Sequence, residues 1–160
     1  MAGQAMTHVI LFNVVLFGAC AYALVAGGAP ERWTAAVFLA GATMTFLLPF
    51  QPHISYHSVH MMILAVDCAV LLGLVCIALR ADRFWPLYVA ALHLITIAIH
   101  GVKALEPNLV PWMYAGASAK IAYPMLVLLA VGALRHRHRL ARFGSDRDWS
   151  PLRTPDYEHS

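Results

Sequence analysis

Residues 61–79 read MMILAVDCAVLLGLVCIAL, nineteen residues with a single charge, Asp67. The hydrocarbon core of a bilayer is about 30 Å thick and is crossed by about 20 apolar residues in a helix. The stretch has that length and that composition. A strand is excluded, because an open sheet edge leaves its N–H and C=O groups unsatisfied in lipid. A span is expected over 55–79, and Pro52 permits the helix itself to begin near His53.

Outward from it, the same reading gives four more spans, at about 8–28, 33–50, 84–102 and 111–134. The breaks carry ordinary helix punctuation: Gly27-Gly28-Ala29-Pro30 after the first run, Pro49 and Pro52 after the second, Pro111 at the start of the fifth. The expectation is an all-α, polytopic integral membrane protein, a bundle of five transmembrane helices within residues 1–144, with a polar, flexible tail over 145–160.

Composition agrees. Apolar residues make up 61% of the 160, against 11 Lys+Arg and 8 Asp+Glu. Ten of the charges lie in residues 135–160, which leaves the first 134 far short of the roughly 25% charge of a soluble domain. A soluble catalytic domain is excluded. So is a nucleic-acid binder, since the net charge of +3 comes mostly from the tail and forms no broad basic face. Cys20, Cys68 and Cys76 sit in apolar runs without a C-x-x-C pair and read as buried thiols. Ala21-Tyr22-Ala23 resembles a signal-cleavage site, but no Lys or Arg precedes Arg32, so the first run reads as a retained helix.

Orientation follows from the basic residues in the connections. Arg32, Arg80, Arg83 and the six arginines from Arg135 to Arg153 fall in the first and third connections and the tail, whereas the second and fourth connections hold Lys103 alone. The expected topology has the N-terminus outside and the C-terminus in the cytoplasm, in the plasma (inner) membrane. The 135–139 run, Arg-His-Arg-His-Arg, reads as a topology signal or a contact for anionic lipid.

Ionisable groups inside a bilayer are costly, and they usually face the bundle interior and carry function. His53, His57, His60 and Asp67 form one helical stripe, and His93 and His100 with Lys103 form another. Lys120 follows the small-residue run Ala115–Ala119, which lets helices approach closely. Depth at 1.5 Å per residue groups His57, His60 and His100 in an outer layer and Asp67, His93 and Lys120 in an inner one. The opposite, cytoplasmic half reads as nearly uniformly apolar, which speaks against a polar path through the whole membrane.

Several readings of these groups stay open. Asp67 and Lys120 are expected to form a structural ion pair, with His93 bonded to it. A b-type haem would take two His at equal depth, His60 or His57 with His100, and His93 belongs to the same set of cofactor candidates. A copper or zinc site would use His53, His57 and His60, with Met61 and Met62 adjacent. The His stripes could also hold a quinone or a lipid headgroup. The leading expectation is a small accessory subunit of a larger membrane complex, linked to electron transfer by the His stripes and without catalytic activity of its own. Its partners would be the lipid bilayer and other membrane subunits. A small carrier fits less well, because neither broken helices nor repeat symmetry is visible.

Overall fold

The computed structural model describes the backbone of residues 2–47, 56–105 and 111–150, and the side chains of 7–47, 61–101 and 120–150. The chain is all-helical: α1 (Ala2–Ala26), α2 (Ala29–Leu47), α3 (Tyr56–Arg80), α4 (Trp85–Leu105) and α5 (Pro111–Phe143). Among the described residues there is no strand, only an isolated antiparallel bridge between Ala81 and Trp149.

The turns follow from local chemistry. α1 stops at Gly27-Gly28, and α2 restarts at once with Pro30 in its first turn, where a missing N–H costs nothing. Thr34 donates from Oγ1 to the Pro30 carbonyl at 2.8 Å. α4 opens on Trp85-Pro86 in the same way. Pro124 lies inside α5 and removes the donor that would have met the Lys120 carbonyl.

Each helix packs on its neighbours in sequence, and α5 closes back on α1. The result is a ring of five, crossed by a smaller contact between α2 and α5. Phe12 meets Tyr123 edge-on across the α1–α5 seam, with ring centroids 5.8 Å apart. The apolar core draws on all five helices, among them Leu16 and Cys20 of α1, Ala35 of α2, Leu74 of α3, Val89 of α4 and Leu129 of α5.

Two described segments, Thr7–Ala26 and Met61–Arg80, are long and apolar enough to cross a membrane, and Trp85–Gly101 is a shorter apolar one. Large apolar side chains stay exposed on the bundle's outside, for example Val25, Leu79 and Phe84.

The structure departs from the sequence reading beyond Leu134. There α5 continues to Phe143 and is closed by Gly144, whose φ of +72° is the left-handed helix-ending conformation. The chain then turns back. Ser150 N donates to Arg80 O at 2.9 Å, and Asp82 N to Asp148 O at 3.4 Å. The first part of the tail expected to be flexible is therefore docked on the α3–α4 turn, and residues 151–160 lie outside the described residues.

Candidate functional site

The bundle has two polar centres, toward opposite ends. The first surrounds Asp67. α3 and α4 run antiparallel side by side, which brings Asp67 against both His93 and His100. His93 Nε2 lies 3.0 Å from the backbone carbonyl of Asp67 and 4.0 Å from its Oδ1. His100 Nε2 lies 3.3 Å from Asp67 Oδ2. The groups placed in separate layers by depth alone thus meet at one carboxylate, which stands between two turns of α4.

A carbonyl oxygen only accepts, so His93 Nε2 carries the hydrogen and donates it. His93 Nδ1 is buried without a hydrogen-bond partner. Asp67 and His93 lie on the wall of an open cavity of about 590 Å³ to which every helix contributes. Most of that wall is apolar, including Phe12, Phe38, Gly41 and Met125. Gly41 permits the close approach of α2 to α3, since a Cβ there would stand 2.6 Å from Val70 Cγ2.

Lys120 is not part of this centre. Its side chain is exposed, and the ion pairs of Asp67 among the described residues are with His93 and His100. Depth matched Lys120 to Asp67, but the rotation of α5 turns the lysine away. The expected Asp67–Lys120 pair is replaced by an Asp67–histidine cluster.

For a haem, both candidates on α4 have Nε2, the usual iron ligand, directed to Asp67 instead. The side chains of His57 and His60, and all of His53, lie outside the described residues, and with them the copper or zinc trio.

The second centre corrects the expectation of a uniformly apolar opposite half. Arg83, in the α3–α4 turn, donates from Nη1 to Glu31 Oε1 at 2.6 Å. Its Nη2 donates to Asp146 Oδ2 at 2.5 Å and to the Arg147 carbonyl at 3.1 Å. His136 Nδ1 donates to the same Asp146 oxygen at 2.6 Å, and Arg139 Nε donates to Oδ1 at 2.9 Å. Glu31 is fully buried and Arg83 nearly so. Burial works to raise the Asp146 pKa, but the hydrogen bonds from Arg139 and His136 and the charges of Arg83 and Arg139 outweigh it, holding the carboxyl below its ordinary value.

The run of alternating Arg and His therefore has two faces, and His136 and Arg139 fold inward. Gly28 makes room for His136 and Asp148: a Cβ there would collide with the Asp148 carboxylate and the His136 ring. Glu31, His136 and Asp148 each bring a ligand atom within 4.8 Å of the others, a spacing that suits a metal ion. The positive charge among them is the Arg83 guanidinium, whose Nη2 is 3.6 Å from Asp148 Oδ1 and 3.2 Å from His136 Nδ1. This centre is a structural lock between α2, α5, the α3–α4 turn and the tail.

Sequence reasoning missed this lock because Arg83 lies 52 positions from Glu31 and 63 from Asp146. One local signal was available: Asp146 and Asp148 follow directly on a basic run, a placement that invites a fold-back. No known protein family, curated protein or solved structure matches the chain.

Proposed function

We propose that this protein is a five-span integral membrane protein that holds a small apolar molecule in its cavity. It has no catalytic activity of its own. The observation that carries the proposal is the cavity. About 590 Å³ of space lies within the 300–1,000 Å³ range of small-molecule sites. A mostly apolar wall with a few convergent polar groups is the usual make-up of such a site. This supports the quinone- or lipid-binding reading above the haem and copper or zinc readings.

Several features support five spans. α2 has 19 residues, about 28 Å at 1.5 Å per residue, and it closes a ring with the two most apolar helices. The contacts among Glu31, Arg83 and His136 gather the α1–α2 turn, the α3–α4 turn and the end of α5 at one end. That is also the arginine-rich end, which is the cytoplasmic one under the positive-inside rule. Within a membrane complex the chain would act as an accessory subunit that supplies a binding cavity to a catalytic partner.

The test is to purify the protein in mild detergent and extract what it carries for mass spectrometry, beside an Ala42→Phe variant that fills the cavity from α2. One apolar species at near-equal molar ratio in the wild type, depleted in the variant, is the expected result. Identical extracts from the two proteins would refute the cavity reading.

A further inference from the structure

The end of α5 turns one face to the lock and leaves the other charged and open. Arg135, Arg137 and Arg142 are exposed, and among the described residues none of them has an ion pair; the paired arginines are Arg83 and Arg139. The lock is the reason. Glu31, Asp146 and Asp148 are turned to Arg83, His136 and Arg139, which takes three acids off the surface. Asp82 is the exposed acid that stays at this end, on the α3–α4 turn.

Depth places the basic face where the bundle stops. A Cβ on Gly132 would stand 2.9 Å from the ring of Trp85, the first residue of α4. His136 meets Arg83 in the α3–α4 turn. Arg135 is therefore level with that turn, and Arg142 is about 10 Å further along the axis. In a membrane-spanning bundle this is the headgroup layer. Leu134, Leu140 and Phe143 stay exposed in the same turns, which suits a lipid interface and not bulk water. Leu134, Arg135, His138 and Arg139 line a shallow groove of about 420 Å³. Arg139 is 36% exposed and gives Nε to Asp146, which leaves the other N–H donors of its guanidinium. The groove thus joins an apolar side chain to two fixed positive charges, and the planar fork of arginine matches phosphate oxygens.

We propose that this groove binds an anionic phospholipid of the adjoining leaflet, with its phosphate on Arg135 and Arg139 and an acyl chain along Leu134. The inference rests on the membrane-spanning reading above and is independent of the cavity.

Native mass spectrometry of the full-length protein in detergent tests it, by titration with dioleoyl phosphatidylglycerol or dioleoyl phosphatidylcholine. The first phosphatidylglycerol should bind about fivefold tighter, the factor that one basic side chain supplies near an anionic surface. Arg135→Gln should bring the ratio toward one. Arg137→Gln removes the same charge outside the groove and should leave the ratio unchanged. Both positions lie outside the lock. Equal binding of the two lipids by the wild type would overturn the proposal. So would equal losses from the two variants, which would show diffuse charge and no site, or displacement of the lipid by millimolar inorganic phosphate. Alkaline carbonate washing of membranes that contain the protein separates the two readings: release into the wash overturns the membrane-spanning reading and this one with it, whereas retention without lipid preference overturns this one alone.

Discussion

Replacing Arg83 with methionine removes the guanidinium on which Glu31 and Asp146 converge. The magnitude can be worked from the geometry. Glu31 is fully buried, its Oε1 is held by Arg83 at 2.6 Å, and its Oε2 has no partner. Without Arg83 the carboxylate is buried, charged and unpaired, and Asp146 and the Arg147 carbonyl each lose a donor. Breaking a buried ion pair from one side costs about 3–5 kcal/mol, a large share of a total stability of about 5–15 kcal/mol. Arg83→Lys should fall between, because a point charge cannot span the two carboxylates as the planar fork does. Adding Glu31→Gln to Arg83→Met should recover part of the loss, because the stranded charge is gone. The assay is equilibrium unfolding in mixed micelles, titrated with denaturing detergent and followed by circular dichroism. If Arg83→Met lies within about 1 kcal/mol of wild type, a range typical of exposed pairs, or if the double variant is no better than the single, the lock reasoning fails.

Two further outcomes follow from the same centres. The Asp146 pKa is depressed in the folded protein by Arg139 and His136 of α5 and by Arg83, with Glu31 bound to the far side of that guanidinium. A depressed carboxylate contributes stability above its unfolded value of about 3.9, and the contribution is lost as pH falls through the lower folded value. Tail docking, read by protease cleavage at Arg147, should therefore hold at neutral pH and fail below about pH 4, and Asp146→Asn should loosen the tail at neutral pH and flatten that acid limb. Lys120→Ala should change stability by no more than about 0.5 kcal/mol, as exposed substitutions do, while Asp67→Ala should cost more because His93 and His100 both lose their carboxylate; equal losses from the two variants would restore the Asp67–Lys120 pair.

The helices were legible because their signal is local: long apolar runs broken by Gly27-Gly28 and Pro30, by Pro49 and Pro52, and by Pro111. The joining of His93 to Asp67 was also within reach, since a stripe fixes which residues share a face and spacing fixes depth. Lys120 marks the limit of that method. Depth along an axis is set by residue count, but rotation about the axis is set by packing, which one sequence does not encode locally. Arg83 marks a second limit. In a connection it counts equally as a topology signal and as a buried partner, and the Glu31 and Asp146 that decide between these are brought to it only by the closed ring.

The ring also explains why two polar centres can coexist in so small a bundle. Phe38, the first α2 residue on the cavity wall, stands seven positions beyond Glu31, about 10 Å of helix rise. That interval is filled by Ala35 and Phe38 packed against Leu74, Val89 and Leu129. Its buried polar side chain on α2, Thr34, is bonded to the Pro30 carbonyl, and a charge crossing so apolar a layer would face a large desolvation cost. The layer therefore separates two tasks. The arginine end fixes the relative positions of α2, α5, the α3–α4 turn and the tail through charge, and the Asp67 end is left with space. A binding cavity lined by Phe12, Phe38 and Met125 beside Asp67 and His93 is consistent with that division.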